Sequence, residues 1–493
     1  MKFGAFVFDP QNGALTRDGA PLALGHRGGE LLRLLLAKRG EIVGKEALLD
    51  AAWPNQAVEE SNLTVQIATL RKALGTTAEG QDWIATVPRV GYRFLAASAE
   101  ASRSESEKPV IAVLPFDNVS TDPDQEFFAQ GLAEDLITDL SRVSGLMVIA
   151  RNSSFAMKGR RSDLRGIGAD LGASFIVDGS VRRVANKVRI NAQLVEAAEQ
   201  TQLWAERFDG DVSDVFALQD QVVGRIVGAL ARVLSIGEAP TKRRNVDIEA
   251  YDLFVRGRAL TLQSREGYLA GHPLLLRATQ IDREFAEAFA WLAMSDLQGW
   301  LNWGQPREAA MPAALAAATR AVEIDNTNAF ALAFLGYVNA FDEKLERGLS
   351  ELDAALKIDP SLTDALIFRA EVLVHLGRNE EGVISAQESF RLNPYPPAHF
   401  YWILAFAQYA AGDYEGVVAT LERPETTRTG SRRLLAAALA QLGRMPEARV
   451  IVAEYLSVVP NFTIKSWSDG QPLHRDADRQ RFVEGYRKAG LPD

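Results

Sequence analysis

Ser61–Leu74 reads SNLTVQIATLRKAL, and this stretch decides how the head of the chain is read. On a helix of about 100° per residue, Leu63, Ile67, Leu70 and Leu74 fall on one stripe. A stripe of that kind needs a core to bury it. Val65, Ala68 and Lys72 point the other way, with Ser61 and Thr69 beside them. Glu59 and Glu60 precede the helix and Arg71 and Lys72 close it, in keeping with the helix dipole. The outward flank is short, mixed and nearly free of acid. Alone it reads as an ordinary solvated face; its surroundings change that reading.

Working outward, residues 3–24 hold short β-like runs, FGAFVF and ALTRDGAPLAL, broken at Asn12-Gly13 and Asp18-Gly19. The spacing predicts a helix through Glu30–Lys38 closed by Gly40, then a short one from Lys45 to about Ala52, stopped before Pro54. After the quoted helix, Gly75 and a polar turn lead to DWIATVPRVGYRFLA. That segment predicts a hairpin: Trp83–Val87, a turn around Pro88–Gly91, then Tyr92–Leu95. Three helices followed by a two-stranded wing make a winged helix-turn-helix.

The segments GELLRLLLAKRGEIVGKEALLDAAW, IATLRKAL and TVPRVGYRF resemble the DNA-binding effector domain of the OmpR/PhoB response-regulator family. The resemblance covers residues 3–96. It implies that the quoted helix lies in a major groove. Val65 is then placed to touch a thymine methyl and Thr69 to bond a base edge. Asn62, Thr64, Arg71 and Lys72 lie nearer the strands and hold phosphates. On the wing, Thr86 supports phosphate contact and Arg89 at the tip enters the adjacent minor groove. The family usually carries arginine at one or both of the positions held here by Ala68 and Thr69, which shifts weight to phosphate and shape readout. Alternatives stay open: Arg71 pairing with an acid inside the domain, Arg93 solvated, Trp53 and Trp83 in the core. The loop Pro54–Glu60 resembles the family's loop that meets RNA polymerase, or is a plain connector.

The bulk numbers fit several domains. The chain has 493 residues, too many for one, with 47% hydrophobic and 24% charged content. It has no cysteine, which excludes disulfides and Cys-ligated zinc and suits a reducing compartment. The start, MKFGAFVFDPQNG, is not a signal peptide, and no apolar run is long enough to span a bilayer. A cytoplasmic protein with no membrane contact is expected. Net charge is −10, yet residues 1–98 hold 4 Lys and 7 Arg against 4 Asp and 6 Glu, a net of +1. Any DNA contact must therefore come from a local patch.

Residues 99–108 are small, polar and charged, a flexible linker. Beyond it VIAVLPF reads as a buried strand and Asp124–Val143 as a helix. LMVIA and then SFIVDGSVRRV, KVRINAQLVEA and TQLWAERFDG read as strands, before a helix from Val215 to about Leu234. The order is that of an α/β sheet domain over 109–237. The runs AVLPFDN, FFAQGLAEDLITDLSR, VIARNSSFAMKG, GADLGASFIVDGSVRR and QLWAERFDG resemble the TolB-like domain found beside adenylate cyclase modules. Gly166-Ile-Gly-Ala-Asp-Leu-Gly172 imitates a dinucleotide fingerprint, but polar RRSDLR precedes it where a buried strand is required.

From residue 248 to 493 the chain is helical. Ile324, Ile358 and Leu392 are spaced by 34 and 34, and Pro360, Pro394 and Pro460 end units in register. The unit ALIFRAEVLVHLGRNEEGVISAQESFRLNP resembles a tetratricopeptide repeat. Five or six helix pairs fit, with an insertion between Ile281 and Ile324, 43 apart. Such arrays present a concave face to a protein or peptide, for which Trp291, Trp300, Trp303, Tyr401 and Trp402 are candidates; the alternative is that they fill the core.

His26, His272, His375, His399 and His474 show no metal spacing, and no nucleotide, zinc-protease or serine-hydrolase motif is present. No catalytic residue, metal site, cofactor or receiver domain before the winged helix is expected. The expected fold is a multidomain α+β chain: winged helix-turn-helix over 1–98, α/β sheet domain, then an all-α TPR solenoid. The expected function is a one-component, sequence-specific DNA-binding transcriptional regulator. It would act on double-stranded promoter DNA, self-associate there, and carry a sensing or docking body. The alternative is a TPR interaction scaffold whose winged helix meets protein.

Overall fold

The apolar stripe of the quoted stretch is where the first core closes. In the computed structural model, Leu63, Ile67, Leu70 and Leu74 are buried against Leu31, Leu32, Leu35, Leu48, Trp53 and Phe94. Fully burying a side chain of this kind contributes roughly 1.5–3 kcal/mol. The structure describes all residues except 1, 4–5, 9–13, 18–19, 23, 39–41, 54–57, 59, 76–81, 88–90, 95–107, 124, 233, 235, 238–245 and 424–428. It forms two units, Met1–Glu107 and Lys108–Asp493.

In the first unit, β1 (Lys2–Phe3), β2 (Phe6–Phe8), β3 (Leu15–Arg17) and β4 (Ala20–Leu22) pair in that order as an antiparallel sheet. Then come α1 (His26–Ala37), β5 (Ile42–Gly44), α2 (Lys45–Ala52), α3 (Glu60–Leu74), β6 (Ile84–Val87) and β7 (Gly91–Phe94). Helix α1 begins at His26, earlier than the expected Glu30, and carries two weak helix formers, Gly28 and Gly29. A Cβ at Gly28 would touch Leu70 at 3.6 Å, so the small residue lets α1 and α3 approach. The wing has three strands, β5-β7-β6, not the expected two. Gly91 is obligatory there, because a Cβ would lie 2.0 Å from the Val43 carbonyl oxygen.

The second unit opens with β8 (Val110–Val113), β9 (Asp117–Asn118), α4 (Gln125–Ser141), β10 (Met147–Val148), α5 (Arg151–Ala156) and α6 (Leu164–Leu171). It continues with β11 (Phe175–Val184), β12 (Lys187–Glu196), β13 (Thr201–Asp211) and α7 (Val215–Leu230). The sheet order is β10-β8-β11-β12-β13, with β9 also beside β11. Strands β10, β8 and β11 are parallel and β11, β12 and β13 antiparallel. The glycine run of the false fingerprint lies in α6. The Gly166 amide donates to the capping Asp163 carboxylate at 2.9 Å, Gly168 packs on Ala197, and Gly172 ends the helix in the left-handed region.

Among the described residues six helix pairs follow: α8 (Ile248–Thr261) with α9 (Arg265–Ile281), α10 (Ala286–Trp303) with α11 (Arg307–Ile324), and α12 (Ala329–Phe341) with α13 (Leu345–Ile358). The rest are α14 (Thr363–His375) with α15 (Asn379–Leu392), α16 (Ala398–Ala411) with α17 (Tyr414–Leu421), and α18 (Thr429–Gln441) with α19 (Met445–Val458). Short α20 (Ile464–Asp469) and α21 (Asp476–Ala489) end the chain. The long early spacing is longer helices: α10 and α11 have 18 residues each, α12 and α13 have 13 and 14.

Sheet and array are joined. The turns around Pro360 and Pro394 dock on the edge strand: the Val148 amide donates to Ser361 Oγ at 3.2 Å and the Ala150 amide to the Leu392 carbonyl at 2.9 Å. Ser141 Oγ donates to Asp359 Oδ2 at 2.6 Å, both buried. On the other side of α4, Arg258 of α8 pairs with Glu134 at 2.7 Å, and Tyr251 donates to Asp135 at 2.7 Å. Edge-strand amides and buried carboxylates thus find their partners on the array.

The first helices of the pairs are covered. No residue of α12, α14 or α16 is exposed. Helix α21 lies against α16 and α18, its Phe482 ring 5.0 Å from Phe406 and 4.8 Å from Tyr409, and Asn379 donates to Asp478 at 2.9 Å. At the C-terminal end of the array, helix α21 thus covers part of the face formed by α16 and α18. The five aromatics expected on the concave face are not exposed. Trp291 meets Phe334 edge-on, Trp300 meets Phe341, Trp402 stacks on Phe406, Tyr401 is buried, and Trp303 is half-buried. Among the described residues no helix is long and apolar enough to cross a membrane.

Candidate nucleic-acid interface

Helix α3 separates its residues by face as its period requires. Ser61, Asn62, Thr64, Val65, Ala68, Thr69 and Lys72 are exposed, while the leucine–isoleucine stripe is buried. Val65 is 60% exposed, the only large hydrophobic residue so placed among the described residues of the first unit. A solvated Val on a face otherwise polar is what an apolar contact with a base methyl requires. Thr69 Oγ1 donates to the Val65 carbonyl at 2.9 Å, which commits its proton to the helix and leaves the oxygen able only to accept. Gly75, at φ +66, closes the helix through its amide to the Arg71 carbonyl at 2.8 Å.

Arg71 is placed differently from its expected phosphate contact. Its Nε and Nη2 donate to the Ile84 carbonyl at 2.8 and 2.6 Å, and Nη2 also donates to Thr86 Oγ1 at 2.7 Å. Asp82 lies 3.4 Å from Nε. This is the intradomain alternative, with an added backbone acceptor that no side-chain pattern signals. Arg71 ties α3 to β6, and Thr86, exposed on β6, is one of its anchors. Arg89 and the loop 54–60, apart from Val58 and the start of α3, lie outside the described residues. Trp83 is buried and stacks on Phe94 at 5.8 Å, and Trp53 is buried under the Arg27 guanidinium at 5.3 Å, so both are core. The structure therefore gathers Asn62, Thr64, Val65, Thr69 and Lys72 on one flank, with Arg71 and Thr86 bracing that flank to the wing. Among the described residues no group of His, Asp or Glu could hold a metal.

Comparison with known proteins bears on this head directly. Residues 19–94 match the family described as transcriptional regulatory protein, C terminal. They form a domain of the OmpR/PhoB type. Residues 106–225 match the second domain of HilA/YgeH-like transcriptional regulators, and 398–423 and 430–454 match tetratricopeptide repeats. The TolB resemblance of the middle segment rests on the residue runs alone. A protein of Rhizobium meliloti, provisionally named adenylate cyclase 3, is 45% identical over 234 residues, 47% of this chain and 40% of that one. The transcriptional activator CadC of Escherichia coli is 28% identical over 116 residues, 23% of each chain. The transcriptional regulator HilA of Salmonella typhimurium is 23% identical over 406 residues, 79% of this chain and 70% of that one. The chain thus spans less than half the length of the first two. Among solved structures, the DNA-binding domain of CpxR from E. coli is 25% identical, with 20% of this chain and 97% of that one covered at a TM-score of 0.19.

Proposed function

We propose that this chain is a DNA-binding transcriptional regulator: α3 enters the major groove of promoter DNA, and the sheet–array body receives a signal. The observation that carries the reading is the exposed flank of α3, acid-free over its described side chains, with Val65 at its centre. The names of the HilA and CadC relatives support it. Val65 meets a thymine methyl, Thr69 accepts from a base amino group, and Asn62, Thr64 and Lys72 hold phosphates. Arg71 and Thr86 position the wing, whose Arg89 reaches the minor groove. The loop 54–60 meets RNA polymerase, and two copies bind together on DNA in the cytoplasm. The middle domain, with its TolB-like runs, and the array catalyse nothing in this reading. The motif-free sequence supports that, even though the Rhizobium relative carries a cyclase name.

The test is selection of bound duplexes from a random pool by the full chain. A recurring sequence whose binding is lost in Val65→Glu supports the reading. No enrichment, or equal enrichment with that variant, favours a scaffold whose winged helix meets protein.

A further inference from the structure

Helix α9 packs one face into the array and leaves the opposite face in water. Tyr268, Leu275 and Ala278 are buried, while Leu269, Pro273 and Leu276 are exposed at positions i, i+4 and i+7 of one stripe. Leu269 is 58% and Leu276 43% exposed, and Leu262, just before the helix, is a further exposed leucine. The later outer helix α13 behaves as a solvated face should, presenting Glu346, Arg347, Ser350 and Lys357. A contiguous apolar stripe at the surface marks an interaction site.

The charges beside the stripe point to what covers it. Glu266 and Arg277 are both exposed. They lie on the same flank, about 20° and 40° round the helix from Pro273. One stands about 10 Å before Pro273 and the other about 6 Å after it. A second α9 laid antiparallel, across a two-fold axis beside Pro273, therefore brings Leu269 of one copy onto Leu276 of the other. It also brings Glu266 of each copy toward Arg277 of the other. A parallel copy in register would set like charges together. Neither charge is tied to another helix: Arg277 reaches Gln280 of α9 at 3.5 Å, and Glu266 is the acid of its first turn.

We propose that the outer face of α9 is a contact between two copies of this chain, paired antiparallel about a two-fold axis beside Pro273. The contact is isologous, so each copy supplies both halves. One such stripe falls short of the roughly 1,200 Å² of a stable interface. The contact is therefore weak between free chains and effective between chains held side by side. It supplies a surface for the paired binding on DNA proposed above, and rests on that reading only for its use there.

The chain has no cysteine, so one introduced thiol reports on its own twin. The experiment treats full-chain variants with a short bismaleimide, in the absence of DNA. Pro273→Cys should give a covalent dimer at least tenfold faster than Ile384→Cys, a control that is 65% exposed on α15. Leu269→Cys mixed with Leu276→Cys should cross-link at least fivefold faster than either alone, as an antiparallel pair requires. In the Pro273→Cys chain, Leu276→Lys should slow the reaction at least tenfold and Arg277→Glu at least threefold. Adding Glu266→Arg to Arg277→Glu should restore the rate, with circular dichroism unchanged throughout. Cross-linking no faster than at Ile384, a rate indifferent to Leu276→Lys, or no recovery in the charge-swapped chain would overturn the proposal. No DNA is present, so that failure leaves the winged-helix reading standing.

Discussion

The Arg71 guanidinium at the end of α3 is bonded to the Ile84 carbonyl of β6 through both Nε and Nη2, at 2.8 and 2.6 Å. Helix and wing are therefore tied at this point, and a residue expected to meet phosphate is bonded within the domain. Arg71→Ala should destabilise the head by about 1.5–3 kcal/mol, the range for hydrogen bonds to a charged group. It should weaken DNA binding without changing how affinity falls with salt. A salt slope reduced by about one unit would instead mark Arg71 as a phosphate ligand.

Val65 offers a second test, because its side chain is solvated and its loss costs the fold little. Val65→Ala should change stability by less than about 0.5 kcal/mol, as other surface substitutions do. In a selected duplex, replacing one thymine by deoxyuridine removes the methyl that Val65 touches. The wild type should lose affinity at that position and Val65→Ala should be indifferent to it. Sensitivity unchanged by the substitution would place Val65 away from the base.

At the seam, Arg258 is nearly buried and lies 2.7 Å from Glu134 and 3.9 Å from Asp135. Glu134 also pairs with Arg151, and Asp135 accepts from Tyr251. Arg258→Met strands buried carboxylate charge, which should cost about 3–5 kcal/mol. Chemical denaturation of the full chain, following the transition of residues 108–493, measures it. A shift under about 1 kcal/mol would mean the pair behaves like a surface bridge.

These cases show what the sequence can and cannot reveal. Helix α3 was legible because its stripe persists over a full helix length and ends at a left-handed glycine. Strand β5 was not, since three residues cannot display alternation, and its pairing depends on Gly91 far along the chain. The array's phase was legible in Ile324, Ile358 and Leu392, but the use of the turns at Pro360 and Pro394 to cap the sheet edge is long-range packing. The partner of Arg71 is a backbone carbonyl, which leaves no mark in residue type. The flank from Asn62 to Lys72 was legible because exposure follows directly from helical period.

The buried His375 gives a pH dependence with a definite sign. Burial, with His474 nearby, pushes its imidazole from 6.5 down to about 4. Between those values the unfolded chain binds a proton that the folded chain refuses, so this contribution rises with pH and is lost on acidification. Its full extent is about 3 kcal/mol. The half-buried carboxylate of Asp364, raised to about 6 by desolvation, works oppositely and loses stability as pH rises. The diagnostic quantity is therefore a difference: His375→Gln should flatten the fall in thermal midpoint between pH 6.5 and 4. Equal slopes in both proteins would show that His375 is protonated in the fold.

The most direct test of groove entry by α3 is the salt dependence of full-chain binding to its selected duplex, compared between wild type and Lys72→Ala. The account predicts a steep linear fall of log affinity with log salt. It also predicts that Lys72→Ala shallows the slope by about one unit, as loss of one phosphate contact requires. Binding that ignores salt, or a slope the same in both proteins, would contradict it.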